Sequence, residues 1–290
     1  KLLAMFSLWL GAYNQGLAYA GLALGVYLTL RVLNFADITV DGSFALGGGM
    51  AAVLITNNIN PAVALIAAVL SGALAGCVTA LIHTRLGVND LFAGILTSTG
   101  LYSITLRLMD RSNIPLIGLD FGLDSDADWA LALSLVVLGL IALLALLLAT
   151  DLGLALRALG NNPTMARANG VSGAKGLTIG IALANGLVAL AGGLVAFYQG
   201  FADVTMGLGS LILGLGAVIV GESICRPRTI PMALAAVVLG SILFRLMIAI
   251  ALQLGLEPVD LKLITALLLL GALTLGRLRL PGLADGGRRL

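Results

Sequence analysis

Polar punctuation cuts this chain into apolar runs, approximately 13–31, 43–56, 61–82, 91–109, 129–150, 176–198, 208–221, 231–252 and 261–277, with a further apolar stretch over 1–12. Most are long enough to cross a bilayer, which takes roughly 20 residues per helix. Only 10% of the residues are charged, and mean hydropathy is +1.09; soluble domains carry about 25% charged residues. A buried helical core in a large soluble protein would need an amphipathic outer shell, and none is present. The pattern predicts an all-α polytopic membrane protein, one transmembrane domain over 1–290 without a soluble domain or linker. Residues 1–12 either lie on the membrane surface or extend the first helix. The opening "KLLAMFSLWLGAYNQ" lacks the small-residue cleavage site of a secretory leader.

The charges that remain are sorted by loop. If the loop 151–175 is cytoplasmic, Arg31, Arg85, Arg157, Arg167, Lys175, Arg226, Arg228, Arg277, Arg279, Arg288 and Arg289 fall on that side. The other side receives the acidic loop with Asp110, Asp120, Asp124, Asp126 and Asp128, and the loop "LGLEPVDLK", with only Arg107, Arg111, Lys262 and Lys1 as cations. The rule that short cytoplasmic loops are rich in Lys and Arg then places the C-terminus in the cytoplasm.

Two polar interruptions are spelled almost alike. Phe35-Ala36-Asp37-Ile38-Thr39-Val40 matches Phe201-Ala202-Asp203-Val204-Thr205-Met206; with one residue inserted, Gly42-Ser43 matches Gly209-Ser210. Pro61 and Pro231 then open corresponding long segments. Each unit reads helix, polar break, short apolar segment, long helix, long helix: repeat 1 over about 13–109 and repeat 2 over about 176–277, joined by a linking helix at 129–150 and the loop 151–175. Matched loops carry opposite charge: "TNNINP" is bare of cations where "ESICRPRTIP" is basic, and "HTRLGVND" is basic where "QLGLEPVD" is acidic. This is the pattern of an inverted-topology repeat.

The segments 43–56 and 208–221 are about 21 Å long as helices, short of a roughly 30 Å hydrocarbon core. Broken or half helices are therefore expected, with 34–42 and 200–209 entering the membrane as irregular backbone. Such backbone is tolerated only inside protein or along a wet cavity. Asn34, Asp37, Thr39, Asp41, Ser43, Asp203, Thr205 and Ser210 are the candidate pathway residues. Their alternative role is helix capping near the interface, with Asp41 or Ser43 capping one short helix and Ser210 the other. Gly207, Gly214 and Gly221 fall seven apart, about two helical turns, and predict a face for close helix packing. Gly21/Gly25 and Gly72/Gly76 offer similar faces. Cys77 and Cys225 are expected to be free thiols.

The long loop "DLGLALRALGNNPTMARANGVSGAKG" predicts a short helix over about 163–169, with Asn162 as N-cap, Pro163 in the first helical position and Gly170 terminating it. A helix this short needs a partner surface, lipid or protein. "GLALRALGNNPTMARANGV" resembles the coupling-helix loop of ATP-binding-cassette importer permeases of the branched-chain amino acid and ribose type. "LNFADITVDGSFALGGG", "LFAGILTSTGLYSITLR" and "YQGFADVTMGLGSLILGLGAVIVGES" are more similar to a bacterial subgroup of that family associated with uptake of aromatic or other amino acids. The resemblance covers nearly the whole chain. It implies a homodimer of permeases in a bacterial inner membrane, two cytoplasmic ATPase subunits carrying ATP and Mg, and an extracytoplasmic solute-binding protein. It also implies that Arg157, Gly160, Asn161, Asn162, Pro163, Met165, Ala166, Arg167 and Gly170 form the coupling segment. By itself the chain has no GxxxxGK[ST] phosphate loop, no metal-ligand cluster and a single His, His83, so neither a catalytic residue nor a cofactor is expected in it, and no nucleic acid as partner.

Two alternatives stand beside this. A secondary transporter or channel would use the inverted repeat unaided; Arg245, without an obvious acidic partner, is its mid-helix ionisable candidate, and the aspartates at the breaks keep it open. An integral membrane enzyme lacks a nucleophile–base pair or metal site. Sugar or nucleoside is the alternative solute to an amino acid.

Overall fold

The computed structural model describes residues 2–118, 122 and 125–255, together with 260, 263, 265–267, 269–271 and 274. Lys1, Asp120, Asp124, Glu257, Lys262, most of the last apolar run and the C-terminal arginines lie outside the described residues, as does the expected position of the C-terminus.

Residues 2–12 extend the first span. Helix α1 (Leu2–Ala18) passes through Tyr19 into α2 (Ala20–Tyr27) and a π-helical turn (Leu28–Val32). Backbone hydrogen bonds from Tyr19 N–H to Gln15 O (3.0 Å) and from Ala23 N–H to Tyr19 O (3.1 Å) carry the ladder across the join. Then follow α3 (Thr39–Thr56), α4 (Pro61–Leu86), α5 (Asp90–Met109), the short strand β1 (Asn113–Pro115), α6 (Asp126–Ala149), α7 (Asp151–Asn161), α8 (Pro163–Ala168), α9 (Gly173–Gln199), β2 (Phe201–Asp203), α10 (Ser210–Cys225) and α11 (Ile230–Gln253). Among the described residues α3, α4, α5, α6, α9 and α11 are long and apolar enough to cross a membrane. The protein is an all-α polytopic membrane protein. Its one departure among the described residues is the antiparallel ribbon β1–β2, which pairs Asn113 with Asp203 and Pro115 with Phe201.

Local chemistry sets where these helices begin. Asn60 accepts a hydrogen bond from Ala62 N–H (2.9 Å) ahead of Pro61, and Asn89 accepts from Leu91 N–H (3.0 Å). Ser125 and Asp128 form a reciprocal capping box at the start of α6, satisfying donors that a helix N-terminus leaves open.

Contacts between loops define two ends of the bundle. At the first, Phe35 meets His83 edge to face (5.2 Å), Ala36 N–H reaches Asp90 Oδ2 (3.4 Å), Gly160 packs on Val32 and Leu33, and Arg31 pairs with Glu222. Arg85, Arg157, Arg167, Arg226 and Arg228 belong to loops or helix ends of this basic end. At the second, Asn14 donates to Asp126 O (2.8 Å), Trp129 meets Tyr198 (5.6 Å) and β1 pairs with β2, with Asp110, Asp126, Asp128 and Asp203 nearby in the chain.

The packing fixes helix direction. Gly21 abuts Leu187 and Ala191 while Gly25 abuts Ala184, so α2 and α9 are antiparallel. Gly42 abuts Ser98 and Gly49 abuts Thr105 and Met109, so α3 runs alongside α5 toward the acidic end. Gly221 abuts Ala236 and Gly240 abuts Ala217, which sets α10 against α11. The Arg31–Glu222 pair brings the end of α10 to the basic end. Thus α2, α3 and α4 cross in one sequence of senses, and their sequence counterparts α9, α10 and α11 cross in the opposite one.

Three expectations need correction. The first short segment is no half-helix: α3 begins at Thr39 rather than 43 and has 18 residues, whereas α10 has 16. Helix continues through the polar residues because Thr39 and Ser43 find side-chain partners inside the bundle. Gly207, Gly214 and Gly221 do not make one packing face. Gly207 precedes α10 and sits against Asp41 O, Gly214 meets Val26 of α2, and Gly221 meets α11. Finally, residues 151–161 are helical, not loop. Leu156 and Leu159 are buried there, and the flanking glycines masked the pattern in sequence.

The central element is α9, packed by α2, α3 and α4. Gly72 and Gly76 of α4 meet the backbone of Asn185 and Ile181, and Gly47 of α3 lies against the backbone of Ala189. A Cβ at Gly47 would strike main chain, which cannot swing aside. Gly47→Val is expected to lower stability by about 3 kcal/mol or more. Gly100→Ala, where a Cβ meets open space, should leave thermal stability unchanged or raised; thermal unfolding of the detergent-solubilised variants checks both.

Candidate functional site

The first break places its polar groups inward. Asn34, exposed and at φ 53°, ends the π-helical turn. Asp37 is 1% exposed. Its Oδ1 accepts from Thr39 N–H (2.9 Å), closing the first turn of α3, and its Oδ2 accepts from Asn185 Nδ2 (2.6 Å) of α9. The Asn185 amide oxygen in turn accepts from Ser43 Oγ (2.7 Å), and Thr39 Oγ1 shares a hydrogen bond with Thr79 Oγ1 (2.7 Å) of α4. Thr39, Ser43, Thr79 and Asn185 are all 0% exposed. Five polar side chains from the break and three helices therefore satisfy one another where no water reaches them, the condition for keeping polar groups at membrane depth.

Asp41 does not cap its own helix. Its carboxylate crosses to the second unit, where Oδ1 accepts from Leu211 N–H (2.8 Å) and Ser210 Oγ (2.9 Å), and Oδ2 accepts from Gly209 N–H (3.1 Å). A residue of the first break thus caps the short helix that follows the second. The free N–H groups and positive dipole end of α10 suit a carboxylate. Ser210, expected as the cap, donates to that carboxylate instead. The cap position itself is Gly209, at φ +87°, where a residue with a Cβ is strained.

The opening residues of the second break stay at the acidic end. Asp203 accepts from Thr205 N–H (2.8 Å), Thr205 Oγ1 (2.5 Å) and Asn113 Nδ2 (3.3 Å). Partial burial pushes its carboxyl up, but these hydrogen bonds, Thr205's first, outweigh burial and hold it below the usual carboxylate range. It is charged at neutral pH. The structure brings Asp37, Thr39 and Ser43 together, and Asp41 with Ser210. It keeps Asp203 and Thr205 apart from both groups, because the start of the second break is held beside Ser112 and Asn113 past the far end of α5, while Gly207 and Gly209 reach in to Asp41.

At the basic end, Asn162 Oδ1 accepts from Met165 N–H (3.0 Å), Pro163 takes the first turn, and α8 ends with Val171 N–H to Ala166 O (3.1 Å) and Gly170 at φ +85°. Ala166 is 2% exposed and Met165 62%. Asn161 is the last residue of α7. Arg157 donates to Leu148 O (3.2 Å), tying α7 to α6, and Arg167 lies against Gly173 at the start of α9. One side of α8 is therefore fixed to the bundle and the other is bare. Cys77 and Cys225 are free thiols, and the described residues hold no metal-ligand cluster.

Asn185, Thr79 and Asn113 were not singled out in sequence. Asn185 left a signal, being the one amide inside the apolar run 176–198, and a lone amide there needs a partner. Thr79 left none, since a threonine can bond back to its own helix, as it also does here to Ala75 O (3.2 Å).

The cross-unit cap predicts a graded series. Asp41→Ala strands the N-terminal donors of α10 and should cost about 2 kcal/mol or more. Asp41→Asn, which keeps one acceptor, should cost less, and Ser210→Ala least. Equal melting temperatures for all three variants and the parent would contradict the assignment.

Known proteins resemble this chain in sequence. The chain is 38% identical over 268 residues, 92% of its length and 90% of the relative's, to a "Tyrosine transport system permease protein" of Clostridioides difficile (strain R20291). It is 34% identical over 178 residues, 61% of its length and 63% of the relative's, to "Uncharacterized protein RP368" of Rickettsia prowazekii (strain Madrid E). No solved structure matches it. Residues 9–276 match the family described as "Branched-chain amino acid transport system / permease component", and the chain is a multi-pass permease of that family.

Proposed function

We propose that this chain is the membrane subunit of an ATP-driven importer that passes an aromatic amino acid from an extracytoplasmic binding protein to the cytoplasm. The observation that carries this reading is the similarity, over 92% of the chain, to a tyrosine transport system permease. The bare helix α8 at the basic end supports it. Short loops rich in Lys and Arg face the cytoplasm, so this reading puts α7, α8, Arg157, Gly160, Asn161, Asn162, Pro163, Met165, Ala166, Arg167 and Gly170 on the side where an ATPase binds. The membrane is the bacterial inner membrane and the C-terminus is cytoplasmic.

In the proposed mechanism α8 is the handle. Met165 stands clear of the bundle while Ala166 is anchored in it, so force applied to the exposed side moves α7 through Asn162 and α9 through Arg167 and Gly173. Helix α7 packs on the π-helical turn that ends the first span, and Gly160 abuts Val32 and Leu33. ATPase closure would thereby reach the first break, its Asp37–Asn185 bond and the α9 post. Two permease copies pair with two ATPase subunits, which hold ATP and Mg. The halves of each copy rock against each other across the Asp41 cap. The hydrogen bonds of Asp37 account for it as a structural group, so no observation here favours an ion-coupled carrier.

The test is reconstitution in proteoliposomes with the partner ATPase and binding protein. ATP-dependent uptake of L-tyrosine is expected, with none when the binding protein is omitted. Met165→Asp should cut uptake by about tenfold or more, as loss of an interface anchor does, with the purified permease still eluting as a single species. Undiminished uptake in that variant removes α8 from the coupling path.

A further inference from the structure

Arg245 has no role in the packing described so far. It is the sixteenth of 24 residues in α11, eight residues or about 12 Å from the acidic end of that helix. Its guanidinium lies over the ring of Tyr19, 3.7 Å from the centroid, and Tyr19 in turn stacks on the fully buried Phe44 (5.4 Å between centroids). The ring face positions the cation but engages none of its five N–H donors. Among the described residues no carboxylate lies in ion-pair range of Arg245, and the one ion pair, Arg31–Glu222, is at the basic end. Its surroundings form a small recess of about 10 Å³, room for about one water, between α2, α10 and α11, lined by Leu22, Leu213, Gly214, Ala217 and Phe244 as well as Tyr19. Apart from Arg245, the polar groups on this lining are the Tyr19 hydroxyl and Ser241, whose Oγ already donates to Gly16 O (2.8 Å).

A cation inside a membrane span is costly unless an anion or water meets it. Here the described chain supplies no anion, while an aromatic shelf holds the guanidinium with its donor edge free. We propose that Arg245, with Tyr19 beneath it, is the carboxylate-recognition point of the solute route, receiving the α-carboxylate of an amino acid entering from the acidic end. The planar fork of arginine matches a carboxylate with two parallel hydrogen bonds. The recess as it stands holds no more than about one water, so α2 must part from α10 and α11 before the rest of the amino acid can follow its carboxylate past Leu22, Leu213 and Phe244. This assignment rests on the import reading for its substrate, but the anion site itself does not.

Two measurements separate those layers. In a Cys77→Ala/Cys225→Ala background, Leu213→Cys is labelled in phosphatidylcholine nanodiscs with anionic and cationic methanethiosulfonates. A cationic cleft raises the encounter rate of anions by about tenfold or more, so the anionic reagent is expected to react faster by that order. The preference should vanish in Arg245→Gln and persist in Arg245→Lys. Absence of labelling, or a preference unchanged by Arg245→Gln, overturns the anion site. In the reconstituted importer Arg245→Gln should lose most L-tyrosine uptake and Arg245→Lys keep part of it; full uptake by Arg245→Gln overturns the carboxylate role. Wild-type importer that carries no tyrosine would refute the substrate reading instead, and the labelling preference would still decide the site.

Discussion

Helix α9 can occupy the centre of this bundle only because its neighbours have almost no side chain where they touch it. Gly21 and Gly25 of α2, Gly47 of α3, and Gly72 and Gly76 of α4 all meet the α9 backbone or its small side chains. Within a membrane there is no hydrophobic drive between helices, since lipid tails are as apolar as leucine, so van der Waals contact between closely set backbones does the work. The same closeness brings Asn185 within hydrogen-bond reach of Asp37 and Ser43. Polar chemistry at the first break thus depends on apolar packing around α9.

Close packing and buried polarity then hold the two units together. Asp37, Thr39, Ser43, Thr79 and Asn185 bond to one another as fully buried groups, so each partner is costly to remove. Between the units, Asp41 caps α10, while Arg31 and Glu222 pair at the basic end. The exposed ion pair contributes little to stability; the cap, with two backbone N–H donors and a hydroxyl on one carboxylate, contributes more. Irregular backbone runs over 33–38 and, after β2, over 204–209, within or beside the breaks expected at 34–42 and 200–209.

Much of this was legible. The apolar runs gave the helices because a span must satisfy its own backbone. Pro61 and Asn162-Pro163 marked helix starts because the signals at those starts are local. The glycine pairs of α2 and α4 were visible as packing faces, although not their common partner. What escaped detection depended on residues far apart in the chain. Asp41 looks like a cap for its own helix, and only the approach of α10, about 170 residues later, gives its carboxylate a different set of donors. The segment 43–56 looked too short because Thr39, Asp41 and Ser43 read as a polar interruption; inside the bundle each finds a partner, so helix extends over them.

The sequence by itself determined that the chain spans a membrane many times, where α4 and α8 start, which ends carry positive charge, and that a polar motif occurs twice. These follow from local hydrogen bonding, run length and charge, which act over a few residues. The tertiary structure alone decided which polar groups meet: Asp37 with Asn185, Asp41 with the N-terminus of α10, and the guanidinium of Arg245 with the face of Tyr19. The two aspartate pairings exist because glycine, Gly72 beside Asn185 and Gly207 beside Asp41, lets segments approach to a distance that a short side chain can cross. Nothing in the local sequence of either partner sets that distance.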